Sequence, residues 1–402
     1  MAQPTVLISG AGIAGPALAF WLNKSGFRVT IVELADGIRP GGQTVDLRGA
    51  GGEVARRMGL LPEMHAHSLD QRGVAWIKSD GQRRAEMPVT AFHGNGLVSK
   101  LEILRGDLVD VLYQATKDRA EYRFNTRITE LSQNGDAAEA TLTDGTTLSV
   151  DLVVGADGPH STVRRLVFGP EEQFVKQLGG YNAWFTAPDT VGLDGWYLMY
   201  QAPGLNASMR PSHDPTMCKA GLAFRSDALR PVAYDRRSAD EQRALLTRYF
   251  AGAGWECDAL LAGAATADDF YFDAFAQVHM PTISQGRVTL AGDAGYCASP
   301  LSGMGTSLAL VGAYVLAGEL GHADSLDANE MAAALQRYES VMRPYIDRCQ
   351  DLPNGIDGYL PKSASDIAVT AAVMKWMQRW PFRYVAERKW FTTADAIELP
   401  DY

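Results

Sequence analysis

Cysteine and positive charge are both scarce in this 402-residue sequence. Its four cysteines, Cys218, Cys257, Cys297 and Cys349, are widely spaced and form no CxxC pair. This pattern is typical of reduced thiols in a cytoplasmic protein, and we predict no metal site. The net charge of −10 argues against nucleic acid as a partner, because binding it requires a basic surface.

One stretch lacks charge altogether, from Asp293 to Glu319, and is long enough in principle to cross a bilayer. Its first half contains Pro300 and three glycines, so that only Leu308 to Ala317 is continuously apolar and helical in pattern. We therefore expect a buried helix here and no stable membrane insertion. The chain is long enough for two or three packed lobes.

The start of the chain alternates strand and helix around a glycine-rich turn. Thr5 to Ser9 is an apolar strand, Gly10-Ala-Gly12-Ile-Ala-Gly15 follows, a helix runs from about Ala14 to Lys24, and Arg28 to Glu33 is a second strand. This order is typical of a dinucleotide-binding unit, in which a strand, a GxGxxG turn and a helix are followed by a second strand that ends on an acidic residue.

Each glycine of the motif has a physical use, as does the acid that ends the second strand. Gly10 makes the tight turn, Gly12 lets a pyrophosphate approach, and Gly15 lets helix and strand pack closely. Glu33 is placed to accept a hydrogen bond from an adenosine ribose without a 2′-phosphate. This favours FAD or NAD over NADP.

Two further strands end on aspartate. Asp151 to Ala156 leads into Asp157-Gly158, where a ligand contact and a helix-capping turn with Ser161 are both open. Val288 to Ala291 leads into Gly292-Asp293, and Gly303 and Gly305 then precede a helix, whose N-terminus could bind a ligand through its N–H groups.

The central part of the chain differs from the rest in composition and in its predicted elements. Between about Val175 and Gln277 we predict short strands rich in aromatics and Met, a helix from Glu241 to Phe250, and a final strand from Phe270 to Val278. The fold class is therefore α/β, with a Rossmann-type domain interrupted by a mixed β-sheet domain and followed by C-terminal helices. The predicted division is 1–174 and 279–350 for the Rossmann-type domain, 175–278 for the inserted sheet, and 351–402 for the C-terminal helices.

Together, the three ordered motifs Gly10-x-Gly12-x-x-Gly15, Asp157-Gly158 and Gly292-Asp293 resemble the single-component (class A) flavoprotein aromatic hydroxylases. The resemblance extends to about Arg348. Within that family, Gly41-Gly42-Gln-Thr-Val-Asp46-Leu is most similar to the tetracycline-inactivating flavin monooxygenases. The resemblance implies a glutathione-reductase-like FAD-binding domain.

The resemblance also implies roles for individual residues. Arg105 and Asp293 would contact the pyrophosphate and ribityl region, Asp46 would lie near the isoalloxazine, and Arg39 would help NADPH to dock. The implied cofactor-binding set is Gly10, Ala11, Gly12, Ile13, Ala14, Gly15, Glu33, Leu34, Arg39, Asp46, Arg105, Asp157, Gly292, Asp293, Pro300, Gly303, Met304, Gly305 and Thr306. The candidate substrate contacts are Trp184, Tyr200, Met209, Phe224 and Tyr296, with plain core packing as the alternative.

The implied activity is that of an FAD-dependent monooxygenase that consumes NADPH or NADH and dioxygen. It would hydroxylate an aromatic or polycyclic small molecule through a C4a-hydroperoxyflavin, so no catalytic side chain is assigned. The alternatives are a flavin-dependent reductase, a Baeyer–Villiger-type oxygenase, and a flavin-binding protein that holds a reactive intermediate without turnover. Either a monomer or a homodimer fits the sequence.

Overall fold

The computed structural model describes residues 3–94, 97–99, 101–226, 233–379 and 393–402. Part of the predicted C-terminal region, 380–392, lies outside the described residues. The strands are β1 Thr5–Ser9, β2 Arg28–Val32, β3 Thr44–Asp46, β4 Gly73–Ile77, β5 Arg83–Pro88, β6 Glu102–Leu104, β7 Glu121–Arg123, β8 Ile128–Gln133, β9 Ala138–Leu142, β10 Thr147–Val150, β11 Leu152–Gly155, β12 Val175–Pro188, β13 Trp196–Ala202, β14 Leu205–Pro211, β15 Met217–Arg225, β16 Tyr271–Val278, β17 Ser284–Gln285 and β18 Val288–Leu290.

The helices lie among the strands in the first part of the chain, in one insertion near its middle, and after β18. They are α1 Ala14–Lys24, α2 Gly49–Met58, α3 Leu61–Ala66, α4 Arg105–Gln114, α5 Thr162–Val167, α6 Ala239–Phe250, α7 Cys257–Thr266, α8 Asp293–Tyr296, α9 Gly305–Gly321, α10 Ala328–Gln350 and α11 Ala364–Met377. The residues of α9 are buried along nearly its whole length. Among the described residues, no helix is both long and apolar enough to cross a membrane.

A six-stranded sheet has the order β17-β18-β11-β1-β2-β7, parallel except at its β17 edge. Its central strands β1 and β11 are apolar and buried, as expected for a parallel sheet covered on both faces. Because parallel strands end at the same edge, the turns after β1, β2, β11 and β18 meet there. Those turns carry the glycine motif, Glu33, Asp157 and Asp293.

A seven-stranded sheet has the order β16-β12-β15-β14-β13-β4-β5. Five of its strands come from the predicted insertion. The other two, β4 and β5, come from the first part of the chain, and β4 pairs with β13 in parallel. One face of this sheet packs against α6 and α7. The opposite face is turned toward β3, β6 and the segment that joins α10 to α11.

Candidate cofactor site and the facing sheet

The turn after β1 requires glycine for steric reasons. Gly10 has φ +108°, and a Cβ there would lie 2.5 Å from the carbonyl oxygen of Ala156. A Cβ at Gly15 would collide with the carbonyl oxygen of Gly10. Helix α1 then begins after Ile13 without a side-chain cap. The backbone can therefore approach a ligand closely, and the helix N-terminus favours a negative charge.

Glu33 is held at the end of β2 by the same turn. One carboxylate oxygen accepts from the N–H of Ala11 at 2.8 Å, and the other accepts from the N–H of Ala35 at 2.9 Å. Leu34 and Arg39 follow on an exposed loop. The acid predicted from the strand pattern thus stands beside the glycine turn, whereas Arg39 lies at the surface.

Arg105 starts α4 and extends over the glycine turn. Its Nη2 lies 3.3 Å from the point that a Cβ on Gly12 would occupy. The adjoining Gly41-Gly42 loop is tied to this helix, because the N–H of Gly106 donates to the carbonyl of Gly41 at 2.6 Å. A guanidinium is therefore placed beside an uncapped helix N-terminus, which is a suitable position for a pyrophosphate.

Asp157 serves as a cap for α5. Its carboxylate accepts from the N–H of Thr162 at 2.8 Å, from Val163 at 3.2 Å, and from the hydroxyl of Ser161. Burial raises the pKa of this carboxyl. The capping turn expected from the sequence is present, with Ser161 as the N-cap residue, and a contact of Asp157 with a ligand stays a prediction.

Asp293 and the start of α9 lie at the same edge of the sheet. Partial burial raises the pKa of the Asp293 carboxyl, and the Cys297 thiol and the charge of Arg105 act in the opposite direction. Gly303 has φ +65° with open space where a Cβ would be, and α9 begins at Gly305 without a side-chain cap. Pro300 is exposed beside this loop, and Met304 and Thr306 are buried.

Four charged side chains form a network between β3, β6 and the seven-stranded sheet. Asp46 pairs with Arg48, and Glu102 lies 3.4 Å from the guanidinium of Arg210 on β14. Glu102 is only 1% exposed, and its burial raises its pKa to about 7. Arg210 also lies over the ring of Tyr197, 3.9 Å from its centroid. Asp46 is thus one part of a buried charge network.

The face of the sheet that carries Arg210 is mixed aromatic and polar. Lys219 is bonded to Thr186 at 2.6 Å and to Asp269 at 3.1 Å, next to Gly41. Trp184 stacks on Tyr271. Gln201 and Asn206 each donate to the carbonyl of Tyr359, at 3.0 and 3.1 Å. Their side-chain oxygens are buried and have no hydrogen-bond partner within the described part of the chain. This face can therefore offer hydrogen bonds to a ligand.

Three predicted substrate contacts lie on the other face. Tyr200, Met209 and Phe224 are buried in the core formed with α6 and α7, and the hydroxyl of Tyr200 donates to the carbonyl of Ala253 at 2.7 Å. Strand side chains alternate between faces, so a residue from this set cannot also reach the polar face. For these three residues the structure shows core packing, the alternative stated from the sequence, whereas Trp184 lies on the polar face.

Tyr296 is also a packing residue. It is 1% exposed, its hydroxyl lies 3.0 Å from that of Tyr338, and a Cβ at Gly312 of α9 would collide with it. Burial raises its pKa to about 12. Of the two roles open for this residue, packing is the one observed, because its hydroxyl is turned under α9 and toward α10.

Four charged residues of this region were not predicted from the sequence: Arg48, Glu102, Arg210 and Lys219. A signal was present, since Glu102 stands in the apolar run Leu101–Leu104, and Arg210 and Lys219 are charges inside strands. A charge inside a strand is costly unless it is paired. Such positions therefore indicate a facing partner, although the sequence does not tell which one.

Known proteins resemble this chain along nearly all of its length. The model of the FAD binding domain family matches residues 3–351. The chain belongs to this family. It is 43% identical over 347 residues to the uncharacterized protein Rv1260 of Mycobacterium tuberculosis (strain ATCC 25618 / H37Rv), covering 86% of this chain and 91% of that one. It is 38% identical over 346 residues to a flavin-dependent monooxygenase of Legionella longbeachae serogroup 1 (strain NSW150), covering 86% of each.

A solved structure supports the assignment of the chain to this family. The crystal structure of the tetracycline destructase Tet(51) superimposes with a TM-score of 0.83 at 32% identity and covers all of both chains. The protein is thus an FAD-dependent monooxygenase, close in structure to the tetracycline destructases. The resemblance stated from the three sequence motifs is confirmed, as is the α/β fold class.

Proposed function

We propose that the protein is an NAD(P)H-consuming monooxygenase of the aromatic hydroxylase type, acting on an aromatic or polycyclic small molecule. The observation that carries this proposal is the meeting of the Gly10–Gly15 turn, Arg105, Asp293 and the α9 N-terminus at one sheet edge, next to the aromatic and polar face of a second sheet. The resemblance to Tet(51) supports a substrate related to a polyketide.

The residues at the edge fit FAD. The uncapped N-terminus of α1 and the guanidinium of Arg105 would bind the pyrophosphate, Glu33 the adenosine ribose, and Asp293 the ribityl hydroxyls. The N–H groups of Gly305 and Thr306, at the start of α9, would hold the flavin ring, since a helix N-terminus stabilises negative charge by about 0.3–1 kcal/mol. When bound, FAD would supply the oxygen chemistry, with NAD(P)H as reductant and a C4a-hydroperoxyflavin as the oxygen donor.

The polar face of the seven-stranded sheet supports a substrate that carries hydroxyl or carbonyl groups as well as rings. Trp184 supplies a large apolar surface, and Arg210 and Lys219 supply positive charge next to it. We accordingly propose the domain division in which this sheet covers the substrate and the six-stranded sheet holds FAD.

The electron donor would bind only transiently. The sequence contains no second GxGxxG after a strand, and Arg39 is exposed on the loop that follows β2. An exposed guanidinium is a suitable first contact for a phosphate of NAD(P)H. We therefore propose that NAD(P)H binds transiently near this loop, without a dedicated nicotinamide-binding domain.

Substitution of Asp293 tests the cofactor site. Asp293→Ala should lower the flavin content of the purified protein, because it removes the carboxylate closest to the start of α9. The ratio of flavin to protein absorbance after gel filtration is the measurement. Asp110→Ala, on the exposed side of α4, is the control and should retain wild-type flavin content. Unchanged flavin content in Asp293→Ala would refute the assigned role.

A substrate panel tests the reaction. Purified protein with FAD and NADPH would be incubated in air with a phenol, a naphthol, an anthraquinone and a tetracycline, and the products measured by mass spectrometry. We expect one added oxygen on a panel member, dependent on NADPH. No addition, together with NADPH oxidation unaffected by every ligand, would contradict the proposal and favour a reductase or a carrier.

A further inference from the structure

A histidine and two aspartates from separate segments meet beside the sheet edge. His160 follows the Asp157-Gly158 turn, Asp235 lies in the 3₁₀ turn Tyr234–Arg236, and Asp273 is on β16. Their ligand atoms all lie within 4.8 Å of one another. The proposed FAD contacts do not include any of these three residues.

The imidazole of His160 is already oriented for coordination. Its Nδ1 faces both carboxylate oxygens of Glu171, at 3.1 and 3.2 Å, and its Nε2 faces Asp273 at 3.3 Å. Glu171 is itself held by Arg236 at 2.7 Å and by the buried Arg164 at 3.8 Å. A carboxylate that holds one imidazole nitrogen, with the other nitrogen turned toward a further ligand of the ion, is the usual arrangement around a metal-binding histidine.

The environment of Asp235 is not that of an ordinary ion pair. Its side chain is 6% exposed, and the nearest guanidinium, that of Arg236, is 4.0 Å from one carboxylate oxygen. The other oxygen is buried and has no hydrogen-bond partner among the described residues. A buried carboxylate oxygen without a donor is costly. A cation placed between Asp235, Asp273 and Nε2 of His160 would remove that cost.

We propose that His160, Asp235 and Asp273 bind a divalent transition-metal ion of the zinc class. One imidazole and two carboxylates suit zinc or manganese, whereas magnesium and calcium prefer oxygen ligands alone. His160 is 46% exposed, so that the ion has a route from solvent. Because the ligands come from three segments, the ion would join the loop after β11 to the seven-stranded sheet. Coordination would displace the proton that Nε2 otherwise carries.

Equilibrium dialysis of chelator-treated, FAD-containing protein tests this site. Zn²⁺ is the probe, and bound metal is measured by mass spectrometry of the elements. We expect about one ion per chain, with an accompanying rise in the melting temperature. Zinc should bind more tightly than manganese, and magnesium should not compete.

Matched variants separate this site from surface binding. Asp235→Asn and His160→Gln should each abolish stoichiometric binding, and Glu171→Gln should weaken it by about 10- to 100-fold. His213→Asn removes a second histidine–aspartate pair, in which Nε2 lies 2.6 Å from Asp107, and should leave binding unchanged. Melting curves without metal verify that each variant is folded.

Two results would overturn the proposal. One is the absence of stoichiometric zinc binding to the folded wild-type protein. The other is zinc binding that persists equally in His160→Gln and Asp235→Asn. Neither result depends on the monooxygenase reaction, which is measured separately with the substrate panel.

Discussion

Glu102 illustrates at the scale of one residue how burial controls a charge. The carboxyl group is 1% exposed, and its pKa rises from 4.5 to about 7 on folding. Between these pH values the folded chain therefore holds a proton that the unfolded chain has lost. It follows that this group lowers the free energy of unfolding progressively as pH rises from about 4.5 to about 7.

Glu102→Gln should remove this pH dependence. One pKa unit corresponds to about 1.4 kcal/mol, so the stability of the variant relative to wild type should rise by up to about 3 kcal/mol between pH 4.5 and pH 8. Urea denaturation of both proteins at several pH values is the measurement. Parallel stability curves for the two proteins across this range would show that Glu102 titrates normally.

Tyr296→Phe tests the location of a single buried hydroxyl. The variant loses the contact with the Tyr338 hydroxyl, which still donates to the carbonyl of Leu290 at 3.0 Å. We expect the free energy of unfolding to fall by about 1 kcal/mol, with kcat and KM for an identified substrate unchanged. A large change in KM at wild-type stability would instead place the hydroxyl in the substrate site.

At the scale of one element, the strand–turn–helix unit β1–α1 depends on close backbone contact. Gly15→Ala should force the turn away from the carbonyl of Gly10, lowering the flavin content and reducing stability by about 1–3 kcal/mol. Gly37→Ala is the matched control, because a Cβ there meets open space. It should change stability by less than about 0.5 kcal/mol. Equal effects of the two substitutions on flavin content and melting temperature would contradict this account of the turn.

At the scale of the whole molecule, Tyr402 packs against the C-terminal turn of α9. The ring of Tyr402 lies where a Cβ on Gly318 would be, and its hydroxyl donates to Glu319 at 2.7 Å. Tyr402 also contacts the rings of Tyr314 and His322. Tyr402, which is distant in sequence, therefore leaves no space for a side chain at position 318, and glycine is required there.

A double-mutant cycle measures this long-range contact. Gly318→Ala alone should destabilise the protein by about 1–3 kcal/mol through overpacking. In a Tyr402→Ala background the same change should be neutral or stabilising by up to about 1 kcal/mol, because alanine is the better helix former. Thermal denaturation of the four proteins gives the coupling energy. Additive effects would show that the two residues do not meet.

The sequence by itself determined the short-range features. The Gly10–Gly15 turn, Glu33 at the end of β2, and the strands before Asp157 and Asp293 were all recognisable, because each depends on neighbours in the chain and on backbone sterics. The same is true of the α/β fold class, which the alternation of strands and helices indicated.

Tertiary structure alone decided which groups face each other. The alternation of side chains along β12 to β15 divides them into two faces, but the sequence does not tell which face α6 and α7 cover. Core packing and substrate contact were therefore both open for Tyr200, Met209 and Phe224, and the structure shows core packing. Similarly, Glu102 and Arg210 are far apart in sequence and become partners only when β6 meets β14. Burial and pairing are properties of the packed chain, because they depend on contacts between segments that the local sequence does not specify.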